Sequence, residues 1–348
     1  MAEYFDISNW VEKPWYQTGG TRSKVIVENP VNHKDYYFKT SLKKDQKDYK
    51  YEFWSEIIAS EVGLTLGFEM LKYDIAYKGE EIGCISESLV TEGKNKLTEG
   101  ISYLTGYDSS YNPKHKDSKK QYSFQLIKNA LAFYKLDRFI DNIIQLILFD
   151  SIIGNGDRHQ ENWGIITEYN EVIKSIEDLA KKDKKSFIER QIFFLLQTIS
   201  KIKKNNFDEV LKDIRLIFSI TGEFSPIYDS GSSLGREMDE TKMIQMTKDS
   251  TMMDAYIRRG VSEIHWEGEK LSHFDLIQKI NIEYPEKVSK IVTRVKDRYN
   301  AESIRNLVEN IDINLPEDIT LNKLPTDRKE FIIKLITLRI EKLISIIR

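Results

Sequence analysis

The chain has 348 residues, 40% hydrophobic and 31% charged, a balance that suits a soluble globular protein with a substantial core. Lys and Arg number 52 against 55 Asp and Glu, a net charge of -3, so composition points to neither nucleic acid nor an anionic membrane, and any anionic ligand must be held by local groups. A single cysteine, Cys84, excludes an internal disulfide framework and the multi-cysteine zinc patterns.

Residues 1–13 are acidic and aromatic rather than basic then apolar, so no signal peptide is read there. No uncharged apolar run approaches the roughly 20 residues of a membrane helix. A cytoplasmic protein is expected. From residue 15 to about 89 the pattern is mostly β. TGGTRSKVIVEN is a glycine turn running into alternating β-branched residues, and DYYFKTS is a short aromatic strand. In YEFWSEIIASEVGL, Phe53, Ile57, Ile58 and Val62 recur at helical spacing, and Gly63 is read as the stop. MLKYDIAY and EIGCISESL follow as two strands separated by the turn KGEE. Residues 1–90 thus read as a small sheet with one helix.

Beyond Thr91, KNKLTEG and YDSSYNPKHKDSKKQ are polar and turn-rich, and are read as exposed loops. LDRFIDNIIQLILFDSII is a helix apolar nearly all round, hence buried in the second, helical part. It ends in the polar turn GNGDRHQEN, and WGIIT reads as a strand. Residues 168–224 alternate charged and aliphatic residues at helical period, which predicts two or three amphipathic helices. After FSPIYDSGSSLG, residues 272–348 are mostly helical, with a break around NLPEDITLNKLP. These elements predict two parts, 1–90 and 91–348.

Four short stretches carry chemistry. In DRHQEN, Asp157 and Asn162 lie five apart on an extended turn, a spacing at which a carboxylate faces a reacting hydroxyl while an amide oxygen faces a metal. In YDSGSS, residues 228–233, Asp229 precedes a glycine turn and is placed to bind Mg²⁺ bridging nucleotide phosphates. Lys39 sits in a strand with its ammonium opposite its aromatic neighbours, and Glu52 and Glu56 on the next helix, one turn apart, are both candidates to hold it. TGGTRSK offers free backbone N–H groups for phosphates, with Arg22 or Lys24 adding charge. Singly, each is ordinary turn or surface chemistry. Their order is that of the parts of a two-lobed phosphotransferase: glycine turn, strand Lys, helix Glu, buried helix, D-x4-N, D-x-G.

GNGDRHQENWGII, the helix ending in Val-Gly-Leu, and PIYDSGSS resemble the HipA-like serine/threonine kinases, within the wider protein-kinase and phosphatidylinositol-kinase superfamily. The likeness covers roughly residues 19–234 and is to the shorter, stand-alone members. It implies an α+β, two-lobed protein-kinase-like fold: a β-rich N-lobe with one helix, and a larger helical C-lobe with catalytic loop 154–163, helical insertion 168–224 and metal-binding turn 228–233. It implies Asp157 as catalytic aspartate and Asn162 and Asp229 as Mg²⁺ ligands, with Asp178 as the fallback. Aligning the helix end makes Glu52 the partner of Lys39. Gly19, Gly20 and Thr21 would cover the ATP phosphates, and Glu87, Ser88 and Leu89 would meet adenine through backbone groups. Arg158 and His159 would brace the loop beside the nucleotide site, with an acid/base role for His159 as the alternative.

Gln17 and Thr18 stand where the family has its regulatory Ser-Ile, leaving Thr18, Thr21 and Ser23 as substitute hydroxyls in that loop. The implied partners are a protein substrate and a protein or antitoxin docking on the insertion, with no direct nucleic acid and no membrane. A phosphatidylinositol-type lipid kinase using KKDKKSF or KIKKNN as a basic patch, and a catalytically silent binding module, are the alternatives.

Overall fold

The computed structural model describes residues 1–13, 24–44, 47–169, 181–182, 190 and 222–347. The glycine turn and nearly all of the 168–224 segment therefore lie outside the described residues. Two compact units divide the chain. They do not follow the sequence boundary at residue 90, because the first gathers Met1–Ser88, Asp141–His159 and Pro226–Arg348, and the second Leu89–Ile140 and Gln160–Ser225.

The first unit carries a six-stranded sheet in the order β1-β7-β8-β4-β3-β2. Its strands are β1 (Tyr4–Asp6), β2 (Val11–Glu12), β3 (Lys24–Glu28), β4 (Asp35–Thr40), β7 (Asp74–Lys78) and β8 (Glu81–Glu87), and β5 (Lys43–Lys44) pairs with β6 (Lys47–Asp48) in a separate antiparallel two-stranded sheet. β1 joins β7 in parallel, and the other neighbours are antiparallel. Ile7, Val27, Phe38, Ala76 and Ile85 form the buried core on one face of this sheet.

Helix α1 (Glu52–Leu66) is buried along almost its whole length. It does not stop at Gly63. It runs one turn further to Gly67, whose left-handed φ of 83° suits glycine and lets the N–H groups of Gly67 and Phe68 close on the carbonyls of Leu64 and Gly63. Gly63 is instead an interior close-packing position, where a Cβ would fall 2.5 Å from the sulfur of Met70.

The second unit holds β9 (Asn95–Glu99), β10 (Gly164–Glu168) and β11 (Glu223–Phe224) in an antiparallel sheet, with helices α2 (Gly100–Tyr107) and α3 (Phe124–Phe133). β9 is the KNKLTEG stretch, a strand and not a loop. All five of its residues pair with β10 while none of its side chains is fully buried, so its sequence has no apolar alternation to reveal it. Lys116–Gln121 forms a 3-10 turn between two buried anchors, Tyr111 and Tyr122.

Helix α4 (Ile140–Ile153) has Ile143, Ile144, Leu148, Phe149 and Ile152 all fully buried, as its all-round apolarity requires. After residue 226 the first unit is helical: α5 (Glu240–Lys248), α6 (Ser250–Arg259), α7 (His273–Glu283), α8 (Pro285–Arg298), α9 (Ala301–Glu309) and α10 (Thr326–Ser345). The anticipated break near residue 316 is a 3-10 turn, Glu317–Asn322. Among the described residues no helix is long and apolar enough to cross a membrane.

Candidate active site

Alternation along β4 decides where Lys39 points. Phe38 enters the core, so Lys39 faces the other side, paired in register with Lys24 of β3 and Cys84 of β8. Gly83 allows that approach, since a Cβ there would lie 2.1 Å from the Lys39 carbonyl oxygen. Only 6% of Lys39 is exposed. Its Nζ lies 3.2 Å from Asp229 Oδ1, 3.6 Å from Glu56 Oε1 and 5.4 Å from the centre of the Tyr73 ring. Burial opposes the ammonium charge, but Asp229, Tyr73, Glu56 and Cys84 together outweigh it and hold the Lys39 pKa well above its ordinary value.

The glutamate that meets this lysine is Glu56, not Glu52. Glu56 is 1% exposed and uses both oxygens, Oε1 toward Lys39 and Oε2 to accept the Ser230 N–H at 2.7 Å. Glu52, one turn earlier and fully buried, accepts the Leu42 N–H at 3.0 Å and is ion-paired with Arg236, which also stacks over Tyr49. Helical spacing puts both acids on one face, and only these distant partners separate their roles.

The segment with Asp229 is tied to the chain just after α1. Leu71 N–H donates to Ile227 O and Ile227 N–H to Glu69 O. Asp229 has a φ of 57°, a conformation that Asp tolerates better than most residues, and its N–H donates to Tyr73 Oη at 3.3 Å. Burial pushes the Tyr73 phenol well above its usual range.

Arg158 braces the same turn from the other side. It is 1% exposed and donates to Asp150 through Nε and Nη2, to the Tyr228 carbonyl, and to Ser230 Oγ at 3.1 Å. Burial works against the Arg158 charge, but Asp150 more than compensates and raises its pKa. Asn155 donates to Asp150 and accepts the Asp157 N–H at 3.1 Å. Asp157 is exposed, and its Oδ2 accepts the Ser232 hydroxyl at 3.0 Å. His159 is half-buried, with its N–H on the Asp157 carbonyl.

Lys39, Glu56, Asp157, Arg158 and Asp229 thus belong to one network within the first unit. Glu87 ends β8 and Ser88 follows it in that unit, where the Glu87 carboxylate binds Lys34 and the Ser88 N–H donates to Asp35 O at 2.8 Å. Leu89 and Asn162 fall in the second unit. Asn162 is buried there, next to Trp163, whose indole N–H donates to Tyr122 Oη and whose ring stacks on Phe224. Gly100 leaves room for that indole, since a Cβ would come within 2.2 Å of it. Gly19, Gly20, Thr21 and Asp178 are outside the described residues.

No family model matches this chain, and no curated protein does either. Among solved structures, the Helicobacter pylori proinflammatory kinase CtkA overlays 99% of this chain and 96% of its own with a TM-score of 0.69, at 15% identity. The chain has the fold of a two-lobed kinase. HipA of Shewanella oneidensis MR-1, solved with HipB and operator DNA, overlays 97% of this chain and 66% of its own at a TM-score of 0.41 and 14% identity, too loose an overlap to carry shared geometry.

Within that fold, Tyr73, Arg236 and Ser232 are among the contributors not singled out from sequence. Tyr73 and Arg236 carry no motif, and only tertiary contact gives them a place. Ser232 had a signal: it lies in the same D-S-G-S-S stretch as Asp229, and a serine-rich turn after an acidic residue merits a question for each hydroxyl.

Proposed function

We propose that the chain is a HipA-like protein serine/threonine kinase that transfers the γ-phosphate of ATP, with Mg²⁺, to a protein hydroxyl. The observation that carries this reading is the buried Lys39 held between Glu56 and Asp229, in the same bonded network as the exposed Asp157. A buried ammonium on a strand is a phosphate-binding group, and its two carboxylates keep it charged and aimed.

Asp229 supplies a hard oxygen donor of the kind that suits Mg²⁺. Mg²⁺ is commonly held by one or two protein oxygens together with substrate phosphates. Mg²⁺ bound there would neutralise charge on the phosphates. Lys39 would bind the phosphates, Glu56 would hold Lys39, Asp157 would orient the acceptor hydroxyl and take its proton, and Arg158 would fix the Asp229 turn.

The test is incubation of wild type and Asp157→Ala with γ-labelled ATP, Mg²⁺ and cell lysate. Wild type should label protein, and the variant should lose roughly 10²–10⁴-fold of that transfer, the usual worth of a general base. A folded Asp157→Ala protein with full activity refutes the assignment. Label entering lipid vesicles but not protein replaces the protein acceptor with a lipid one.

A further inference from the structure

The turn after Asp229 contains three serines whose hydroxyls are used differently. Ser230, 2% exposed, receives Arg158 on its oxygen, and Ser233, 1% exposed, donates to the Ser230 carbonyl at 2.6 Å. Both are committed to holding the turn. Ser232 is half-buried, and its hydroxyl donates to Asp157 Oδ2 at 3.0 Å. That is the distance and direction in which a general base receives an acceptor hydroxyl. Resting on the kinase reading, we infer that Ser232 is an internal phosphoacceptor, modified in cis by the chain's own site.

The surroundings favour transfer over mere proximity. Asp229, three residues earlier in the same turn, holds the phosphate-binding lysine. The turn is pinned on both sides of Ser232, by Asp229 N–H on Tyr73 Oη and by Leu234 N–H on Ile153 O at 3.0 Å. The hydroxyl is therefore presented with little orientational freedom to lose, the condition under which an intramolecular acceptor outcompetes a diffusing one. In the step, Ser232 Oγ bonds to the γ-phosphorus of a nucleoside triphosphate, and the bond from that phosphorus to the β,γ-bridging oxygen breaks. The nucleoside diphosphate leaves with that oxygen, and the hydroxyl proton passes to Asp157.

The product adds about 1.5–2 negative charges beside Asp157 and near Asp229, occupying the acceptor position and repelling a second anionic nucleotide. Modification is therefore self-limiting, and phosphorylated Ser232 is the off state of the site. No glycine-loop hydroxyl is needed for this control.

Phosphatase-treated wild type, Asp157→Ala and Ser232→Thr are incubated with MgATP, alone and with casein, at several enzyme concentrations. Intact mass, phosphopeptide mapping and titration with a fluorescent ATP analogue are the readouts. The expected result is one phosphate on residue 232 of wild type and of Ser232→Thr, at a first-order rate independent of enzyme concentration. Asp157→Ala should stay unmodified even when mixed with wild type. The phosphorylated protein should bind the analogue roughly tenfold more weakly. Casein labelled while Ser232 remains unmodified overturns this inference and leaves the kinase reading standing. Ser232 labelling that rises with enzyme concentration, or that reaches Asp157→Ala in the mixture, overturns the cis assignment. Bound nucleotide with no transfer to Ser232 or casein overturns both.

Discussion

Replacing Glu56 or Glu52 by Gln separates two acids that helical spacing treats alike. Glu56 Oε1 stands 3.6 Å from the Lys39 ammonium. At an effective dielectric of about 20 that charge pair is worth roughly 5 kcal/mol before desolvation is subtracted. Gln keeps an oxygen for the Ser230 N–H but removes one of the two carboxylates around a lysine that is 6% exposed. A net loss of about 2 kcal/mol is expected for Glu56→Gln, less than the cost of stranding a buried charge because Asp229 still pairs with Lys39. Glu52→Gln should cost about 1 kcal/mol, because the partner left behind, Arg236, is 16% exposed and can be hydrated. Urea unfolding measures both losses. Titration with a fluorescent ATP analogue should show Glu56→Gln weakened at least tenfold, about 1.4 kcal/mol, and Glu52→Gln much less affected. The two variants behaving alike, or Glu52→Gln being the worse in nucleotide binding, refutes the pairing of Lys39 with Glu56.

Arg158→Met strands the buried Asp150 carboxylate and removes two donors from the Asp229 turn, so it should cost about 3–5 kcal/mol in chemical unfolding, with Asp150→Asn added to it recovering part of the loss. His273 is 1% exposed with no hydrogen-bond partner on either ring nitrogen, and burial, then Arg339 and Lys270, hold its pKa well below the ordinary value. Below about pH 6.5 the unfolded chain then binds a proton that the folded one refuses. Stability should be complete above that pH and fall by roughly 1 kcal/mol between pH 7 and 5.5. His273→Phe should flatten this slope in urea titrations at the two pH values, and an unchanged slope refutes it.

The sequence made Lys39, Asp157 and Asp229 legible because each sits at a local discontinuity: a cation in an aromatic strand, acids in turns that interrupt apolar runs. Such breaks are written in neighbouring residues. The choice between Glu52 and Glu56 is not, since it depends on Ser230 and Arg236, about 180 residues away in the chain. β9 escaped notice for a related reason: it is held by a backbone ladder and a polar Asn95–Glu168 bond, and its side chains, none fully buried, keep a polar character that reads as loop. Gly63 misled because a glycine in a helix marks either an end or a close contact, and only Met70 decides between them.

The Asp229 turn also explains why so many partners converge on a few residues. A non-glycine residue at positive φ persists only where its surroundings over-determine it. Here Tyr73 takes the Asp229 N–H, Glu56 takes the Ser230 N–H, and Arg158 supplies a donor to the Tyr228 carbonyl. The backbone is thus fixed on both sides of the carboxylate, by groups that are themselves buried. One ammonium between two carboxylates leaves the Lys39 cluster with a formal excess of negative charge. An anionic phosphate alone would meet repulsion there, whereas a divalent cation arriving with it would balance the site. Glu56 therefore does two jobs that cannot be uncoupled, holding the lysine and shaping the turn. Glu56→Asp should disturb both the Asp229 conformation and nucleotide affinity although it preserves charge.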